Sequence, residues 1–364
     1  MDIKPIETWG SKTNKPFIIS GPCSAETEDQ LLDTCKQIKQ LGINVMRAGV
    51  WKPRTRPNSF EGIGTEALQW IESVKKELNV EFAIEVANPQ HVEEALKHNI
   101  DILWIGARST VNPFTVQDIA DSLKGVDIPV LIKNPINPDL ALWQGAIERV
   151  AGAGIERIGA IHRGFSSFQQ SKFRNEPMWQ LPIELKRLMP QIPLIGDPSH
   201  IAGERDLIYD LSQKMLDLNY DGLMIETHRD PNQAWSDAKQ QVSPQQLKDI
   251  IQILNTRIPN TDDESFTNKL EDLRGRIDQS DRELLEAIAN RIRLVEKIGD
   301  YKKENNVAVF QVKRWDEVYK SREKWGESLG LNSDFVKELV KLLHTESIKT
   351  QTRIMNKKED NHDS

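Results

Sequence analysis

An α/β fold of the (β/α)8 kind, followed by a small all-α domain, is what this 364-residue sequence predicts. Three observations carry the prediction. From residue 17 to about 226, short β-rich runs alternate with amphipathic stretches. Eight such strand–helix units in roughly 250 residues have the size and pattern of a closed TIM barrel. Beyond residue 265 the strand signal stops and a long helical periodicity replaces it. A doubly wound open sheet is the alternative, but no Gly-x-Gly-x-x-Gly turn follows the first strand.

Taken in order, strands are expected at Phe17–Ser20, Asn44–Arg47, Phe82–Val86, Ile102–Ile105, Val130–Lys133, Arg157–Ile161, Pro193–Gly196 and Leu223–Ile225. Between them, stretches such as "EDQLLDTCKQIKQLG" and "QHVEEALKHN" place apolar residues three and four apart, and several end in Gly or Asn. Cys35 shares the Leu31, Leu32, Ile38 and Leu41 face of its helix and reads as core. The barrel is assigned to residues 1–255 and a non-periodic, Pro- and Asp-containing linker to 256–265. An all-α domain follows over 266–355, with a frayed, disordered tail at 356–364. Its first helix is long, with a stripe running from Leu270 and Leu273 to Val295 and Ile298. A second helix is expected over Lys313–Ser328 and a third after the N-cap candidate Ser333. Three extended helices bury such a stripe poorly alone, so a homodimer through this domain is expected.

Composition narrows the function. The formal net charge of −7 argues against nucleic acid as the main partner. No apolar run approaches the roughly 18 residues of a membrane span. Two cysteines supply no disulfide framework, and "MDIKPIETWG" has no signal-peptide character, so a cytoplasmic protein with reduced thiols is expected.

In a barrel, the C-terminal strand ends converge on one mouth. Here they deliver Cys23, Arg47, Glu85, Arg108, Lys133, Arg163, Asp197 with His200, and Glu226 with His228. Charge next to a packed core is costly unless it is used. The cations Arg47, Lys52, Arg54, Arg108, Lys133 and Arg163 call for substrates with several negative charges, phosphate or carboxylate. A second group, Cys23, His200, Glu226 and Asp237, mixes thiol, imidazole and carboxylate. That mixture suits Mn2+, Fe2+, Co2+ or Zn2+ better than Mg2+. No CxxC or HExxH frame joins these four, so packing for Cys23 and helix capping for His200 stay open on spacing alone.

The segments "GPCS", "RAGVWKPRT", "IGARS", "DPSHIAG" and "GLMIETH" resemble the type I 3-deoxy-D-arabino-heptulosonate 7-phosphate (DAHP) synthases. The subgroup resembled is the beta one, which also holds the 3-deoxy-octulosonate 8-phosphate synthases; "KPRT" favours the heptulosonate branch. The resemblance spans residues 15–255. It implies metal-dependent condensation of phosphoenolpyruvate with erythrose 4-phosphate. By position it implies metal ligands at Cys23, His200, Glu226 and Asp237, and a phosphoenolpyruvate site at Arg47, Lys52, Arg108, Lys133 and Arg163. Erythrose 4-phosphate falls to Arg54, Thr55, Ser109 and Asp197, and the catalytic set is Lys133, Glu85, Lys52 and His200. Glu85 is a candidate to position the attacking water. A strand-end lysine such as Lys133 also serves as a Schiff base in other barrel aldolases, which leaves a second class open. The neighbours in "KNPIN" and "IHRGF", and Arg56, depart from the commoner pattern.

The helical region resembles a second family, the all-helical chorismate mutases, through "LRGRIDQSDRELLEAIANR", "EKIGDYK" and "ESIKTQ". That resemblance implies a chorismate or prephenate site at Arg274, Arg291, Lys302, Arg314 and Gln351. At about 100° per residue, Arg291 and Lys302 lie within roughly 20° of one face, while Arg274 stands some 25 Å away along the axis. In the family the equivalent arginine reaches the partner subunit's site, which implies an intertwined dimer. Arg314-Trp315 replaces the family's usual Arg-Glu, removing a carboxylate from the substrate hydroxyl. A non-catalytic module that binds chorismate or prephenate and regulates the barrel is the competing reading.

Overall fold

The computed structural model describes residues 2–9, 16–52, 60–168, 171–258 and 260–357. The chain forms two compact units, one up to residue 259 and one from 260 onward.

The first unit is a closed barrel of parallel strands in chain order. They are β1 (Phe17–Gly21), β2 (Val45–Arg47), β3 (Glu81–Val86), β4 (Ile102–Ile105), β5 (Val130–Lys133), β6 (Ile158–His162), β7 (Leu194–Gly196) and β8 (Gly222–Glu226). Closure is a ladder that sets Phe17 opposite Gly222 and Gly21 opposite Glu226. β2, β6 and β7 begin one residue later than the sequence predicts. The skipped residues Asn44, Arg157 and Pro193 still accept hydrogen bonds from a neighbouring strand through their carbonyls, at 2.9, 2.9 and 2.8 Å.

Around the barrel run α1 (Glu28–Lys39), α2 (Thr65–Leu78), α3 (Pro89–Lys97), α4 (Ala107–Thr110), α5 (Pro113–Ser122), α6 (Leu140–Gly152), α7 (Gln180–Leu188), α8 (Pro198–Ala202), α9 (Ile208–Asp217) and α10 (Pro244–Ile253). Side chains of Thr27, Asn88, Asn112, Asp139 and Ser243 accept first-turn N–H groups, which starts α1, α3, α5, α6 and α10 where the sequence turns polar. The short α4 and α8 are additions to the simple strand–helix alternation. Both follow directly on strand ends.

Strand alternation sorts the core into two layers. One parity packs inside the barrel: Ile19, Val45, Ala83, Leu131, Ile161 and Met224, joined by Trp104, with Ile6 and Trp9 in the same cluster. The other parity, including Met46, Ile84, Leu103, Ile132 and Ile225, packs against Leu31, Ile38, Leu68 and Ile71 of the helices. Cys35 belongs to this outer layer, and burial pushes its thiol pKa up. Two residues beyond the inward Val45, Ala83, Leu131, Ile161, Ile195 and Met224 come Arg47, Glu85, Lys133, Arg163, Asp197 and Glu226. The alternation that fills the barrel therefore also aims these groups at its axis.

His162 has the outward parity. Its ring sits among Phe165, Trp179 and Tyr220. Nε2 is 2.7 Å from the Pro177 carbonyl and Nδ1 is 2.9 Å from the Tyr220 hydroxyl. A neutral imidazole that donates from Nε2 and accepts at Nδ1 satisfies both. Burial pulls its pKa from 6.5 down to about 3.

The second unit contains α11 (Glu264–Glu304), α12 (Val312–Ser328) and α13 (Ser333–Met355), with α13 packed on both others. Gly299 and Gly326 permit the close approach: a Cβ would stand 2.9 Å from Ile354 Cδ1 at the first and 2.4 Å from Val336 Cγ2 at the second. The α13 N-cap is Asn332, whose side chain accepts from the Phe335 N–H at 3.0 Å. Ser333, the expected cap, is the first helical residue, and its hydroxyl donates to Glu323 instead at 2.7 Å. Among the described residues no helix is long and apolar enough to cross a membrane.

His162 makes the barrel acid-sensitive. Below pH about 6.5 the unfolded chain binds a proton that the folded imidazole refuses, so stability falls as pH drops toward 3 and is fully present above 6.5. Urea midpoints should decline by a few kcal/mol equivalent between pH 7 and 4. His162→Gln, though less stable at pH 7 by about 1–3 kcal/mol, should flatten that decline. An equally steep profile in the variant would refute the assignment.

Candidate functional site

At the C-terminal mouth of the barrel, "GPCS" closes β1. A Cβ on Gly21 would meet the Arg47 carbonyl oxygen at 2.1 Å, and one on Gly49 the Cys23 carbonyl oxygen at 2.3 Å. The two glycines let the segment that carries Cys23 lie directly against the segment after β2. The Cys23 N–H donates to Gln241 Oε1 at 2.9 Å, and its carbonyl accepts from Lys52 Nζ at 2.5 Å.

A chain of charges crosses the mouth. Arg47 Nη1 lies 3.1 Å from Glu226 Oε1, with side-chain exposures of 2% and 0%. Glu226 Oε2 accepts from Gln240 Nε2 at 2.6 Å, whose Oε1 accepts from Arg174 at 2.6 Å. Arg174 also pairs with Asp237 Oδ1 at 3.0 Å. On the other side, Asp197 accepts from Lys133 Nζ and from His200 Nδ1, both at 2.8 Å. Trp104 carries Arg47 and Lys133 over its ring at 5.0 and 5.6 Å, and donates Nε1–H to Glu85 Oε2 at 3.0 Å. Gly106 makes room for Glu85, since a Cβ there would stand 2.1 Å from Glu85 Oε1. Arg163 donates to Asn175 Oδ1 at 2.7 Å.

Burial would raise the Asp197 carboxyl pKa, but His200 and Lys133, which both donate to it, hold it well below the usual range. Burial lowers His200, against the pull of Asp197. The neutral ring that results donates from Nδ1 and keeps a lone pair on Nε2, which faces Glu226 Oε1 at 3.8 Å. Burial, with Glu226 beside it, pushes the Cys23 thiol up to about 11, although Lys52 Nζ lies 3.0 Å from Sγ. Asp237 is held down by Arg174, His200 and Lys52 against burial, in a left-handed backbone turn at φ 45°. Burial draws Arg163 down to about 10, helped by Arg174 and Arg108 nearby.

Of the residues singled out by sequence, Cys23, Arg47, Lys52, Glu85, Lys133, Arg163, Asp197, His200, Glu226 and Asp237 fall on this network. Arg108 is exposed on α4, and Ser109 beside it is buried. Arg54, Thr55 and Arg56 lie outside the described residues. Arg174, Asn175, Trp104, Gln240 and Gln241 were not anticipated. "SKFRNEP" has no periodicity that would single out Arg174, whose partner Asp237 is 63 residues away. His228 turns away from the mouth: it faces Glu26 at 3.3 Å, and Glu26 also accepts from the Trp235 N–H at 2.7 Å. That bridge ties the loop bearing Asp237 to the one bearing Cys23.

The donor set of a metal can be tested on this geometry. Cys23 Sγ is 3.4 Å from Asp237 Oδ2, His200 Nε2 faces Glu226 Oε1 at 3.8 Å, and among the described residues that Oε1 is buried without a hydrogen bond. Sulfur, imidazole nitrogen and carboxylate oxygen together fit a borderline divalent cation. Among the described residues, no three of these donors form a ready-drawn cage. Lys52 on Cys23 and Arg174 on Asp237 supply positive charge there.

In the helical unit, Arg291 Nη1 donates to Ser347 Oγ at 2.7 Å and to the Leu343 carbonyl at 3.2 Å. Lys302 Nζ donates to the Val309 carbonyl at 2.6 Å. Gln351 is buried on α13, its Oε1 without a hydrogen bond. Burial lowers the pKa of Arg291, with Arg322 as a second cause, and burial lowers that of Lys302. Arg274 and Arg314 are exposed and pair with Glu271 and Glu317 on their own helices. Ser347 and His344 were not anticipated; they lie on the face of α13 that carries Gln351.

Asp197 offsets the Lys133 ammonium and accepts from the His200 ring in a buried place, which sets up a stability test. Asp197→Asn should cost about 3–5 kcal/mol in urea unfolding, with much of that recovered in Asp197→Leu/Lys133→Met. A single variant as stable as the parent would show that the carboxylate is not compensating charge.

Comparison with known proteins agrees with both units. Residues 7–260 match the DAHP synthetase I family, and residues 273–352 match chorismate mutase type II. A phospho-2-dehydro-3-deoxyheptonate aldolase from Thermotoga maritima is 30% identical over 65% of this chain and 68% of its own. A 2-dehydro-3-deoxyphosphooctonate aldolase from Francisella tularensis subsp. holarctica is 27% identical over 66% of this chain and 90% of its own. The crystal structure of the Thermotoga maritima DAHP synthase superposes with a TM-score of 0.62 at 26% identity, covering 70% of this chain and 72% of that one. With its closed barrel in line with that match, the chain belongs to the DAHP synthetase I family and carries a chorismate-mutase-type unit after the barrel in sequence.

Proposed function

We propose that the barrel condenses phosphoenolpyruvate with erythrose 4-phosphate and water to DAHP and phosphate, and that the helical unit converts chorismate to prephenate. For the barrel, the observation that carries the reading is the convergence of Arg47, Lys52, Lys133 and Arg163 on one mouth beside a set of metal-type donors.

Arg163, Lys133 and Lys52 would bind phosphate and carboxylate of the enol phosphate, and Arg47 would add to their field. Fixing that substrate places its C3 toward the sugar aldehyde, a positioning effect of potentially several kcal/mol. C3 forms the new bond to the aldehyde carbon, and water adds to C2. The C–O bond to phosphate then breaks, releasing inorganic phosphate. Glu85, held by Trp104 and made room for by Gly106, would orient the water. Cys23, His200, Glu226 and Asp237 would hold a divalent cation whose Lewis acidity polarises the aldehyde oxygen. Lys133 is already the ion-pair partner of Asp197, which favours a point-charge role over a Schiff base.

In the helical unit, Arg291, Lys302 and Gln351 would hold a dicarboxylate and donate to its breaking ether bond. The reaction requires no nucleophile. A second copy of the chain is part of this reading. Among described residues of α11 before residue 291 none is buried, and Leu273, Ile277, Leu284 and Leu285 are exposed. A homodimer would cover that stripe and bring Arg274 to the partner's site.

Measurements of activity, binding and assembly test these readings. Metal-stripped protein should lose condensation activity and regain it with Mn2+, Co2+, Fe2+ or Zn2+; full activity in chelator would end the metal assignment. Cys23→Ser should weaken metal binding in calorimetry at least about tenfold, roughly 1.4 kcal/mol, and leave chorismate turnover intact. Arabinose 5-phosphate replacing erythrose 4-phosphate as the better substrate would move the barrel to the octulosonate branch. In the helical unit, Arg291→Ala should cut prephenate formation at least about 100-fold, near 2.7 kcal/mol. Chorismate binding without turnover in the parent would leave only the regulatory role. Light scattering should give a dimer that Leu284→Asp dissociates; a monomeric parent would remove the partner copy from the proposal.

A further inference from the structure

The residue pair Trp315–His344 is used by none of the roles above. The two rings stack at 3.9 Å with an interplanar angle of 14°, and Phe310 approaches the same imidazole at 6.0 Å. Aromatic packing of this kind fixes a ring plane and leaves its edge for polar work. On that edge His344 Nε2 is buried and has no hydrogen-bond partner among the described residues. A buried polar atom left unpaired is costly unless something else satisfies it.

The surroundings indicate what satisfies it. His344 lies three residues before Ser347 and seven before Gln351, so all three project from one face of α13. Ser347 receives Arg291, and Gln351 has its own unpaired, buried Oε1. The ring is held neutral by burial and by the charges of Arg291 and Lys302. A neutral imidazole facing two cations is a poor partner for a carboxylate, which those cations already attract. It suits an uncharged hydroxyl, as hydrogen-bond acceptor or donor. Chorismate offers two carboxylates, one ether oxygen and one ring hydroxyl. Trp315, with a lone indole N–H, offers no acceptor to that hydroxyl.

We propose that His344, its ring plane set by the stacked Trp315, makes the hydrogen bond to the substrate's ring hydroxyl in the helical unit. This rests on the chorismate reading of that unit. The pair then sets specificity: a ligand lacking the hydroxyl would leave Nε2 buried and unpaired.

The experiment compares the full-length parent, His344→Phe, His344→Gln and Trp315→Ala, each with chorismate and with its 4-O-methyl ether. Turnover and calorimetric binding are both read. The parent should prefer chorismate over the ether by about tenfold or more in kcat/KM. His344→Phe should lose about 10- to 100-fold with chorismate and little with the ether, so the preference disappears. His344→Gln should restore part of it, and Trp315→Ala should raise KM more than it lowers kcat. Equal losses on both ligands in His344→Phe, with no rescue by Gln, would mean a packing role and overturn the proposal. Should the parent bind chorismate without converting it, the mutase reading fails separately. The same tenfold preference, read as binding constants and lost in His344→Phe, would still support His344. A His344→Phe variant that binds both ligands as the parent does would overturn it.

Discussion

A guanidinium and a carboxylate, Arg47 and Glu226, face each other at 3.1 Å in the mouth of the barrel with almost no water on either. Neither charge is tolerable there alone, because an isolated ion in such surroundings costs several kcal/mol. The rest of the mouth follows from that constraint. Gln240 takes the second oxygen of Glu226, Arg174 takes Gln240 and Asp237, and Trp104 lends its ring face to Arg47 and Lys133. Even so, Arg47 Nε and Nη1 and Glu226 Oε1 lack hydrogen bonds among the described residues. A site with surplus cations and with a donor group and an acceptor left unanswered is pre-organised for charged guests, at some cost in stability.

The helical unit meets a similar demand differently. Among the described residues Arg291 and Lys302 hydrogen-bond to no carboxylate; burial depresses both, with Arg322 a second cause at Arg291. Backbone carbonyls and Ser347 carry their hydrogen bonds instead. Neutral acceptors orient a cation without neutralising it, so its charge stays available to an anion. The barrel mouth keeps its cations in check with carboxylates, whereas the helical unit keeps them strong by withholding carboxylates. A multiply phosphorylated reaction pair and a single dicarboxylate are consistent with those two designs.

The eight-fold alternation, the helix stripes and the polar residue at every strand end were legible in the sequence because they are local. Period two in a strand and about 3.6 in a helix are set by backbone geometry alone. Parity even carries Arg47, Glu85, Lys133, Asp197 and Glu226 to the inside once Val45, Ala83, Leu131, Ile195 and Met224 are core. Errors of a residue at strand starts, and the choice of Ser333 over Asn332 as a cap, are the limits of that local reading. Two adjacent polar residues compete for one cap, and only the approach of Glu323 assigns the serine elsewhere.

Pairing was beyond the sequence. His228 and His200 both follow strand ends or their loops, yet one braces Glu26 while the other turns its free nitrogen toward Glu226. Arg174 sits in an aperiodic loop and finds Asp237 only when the chain closes. The stack of Trp315 on His344 joins two helices and has no sequence signature. The sequence by itself determined which residues are inward, buried or charged, since neighbours along the backbone impose that. Which charge answers which, and which buried atoms stay unanswered, was decided by the tertiary structure, because those contacts form between segments that only packing brings within hydrogen-bond reach.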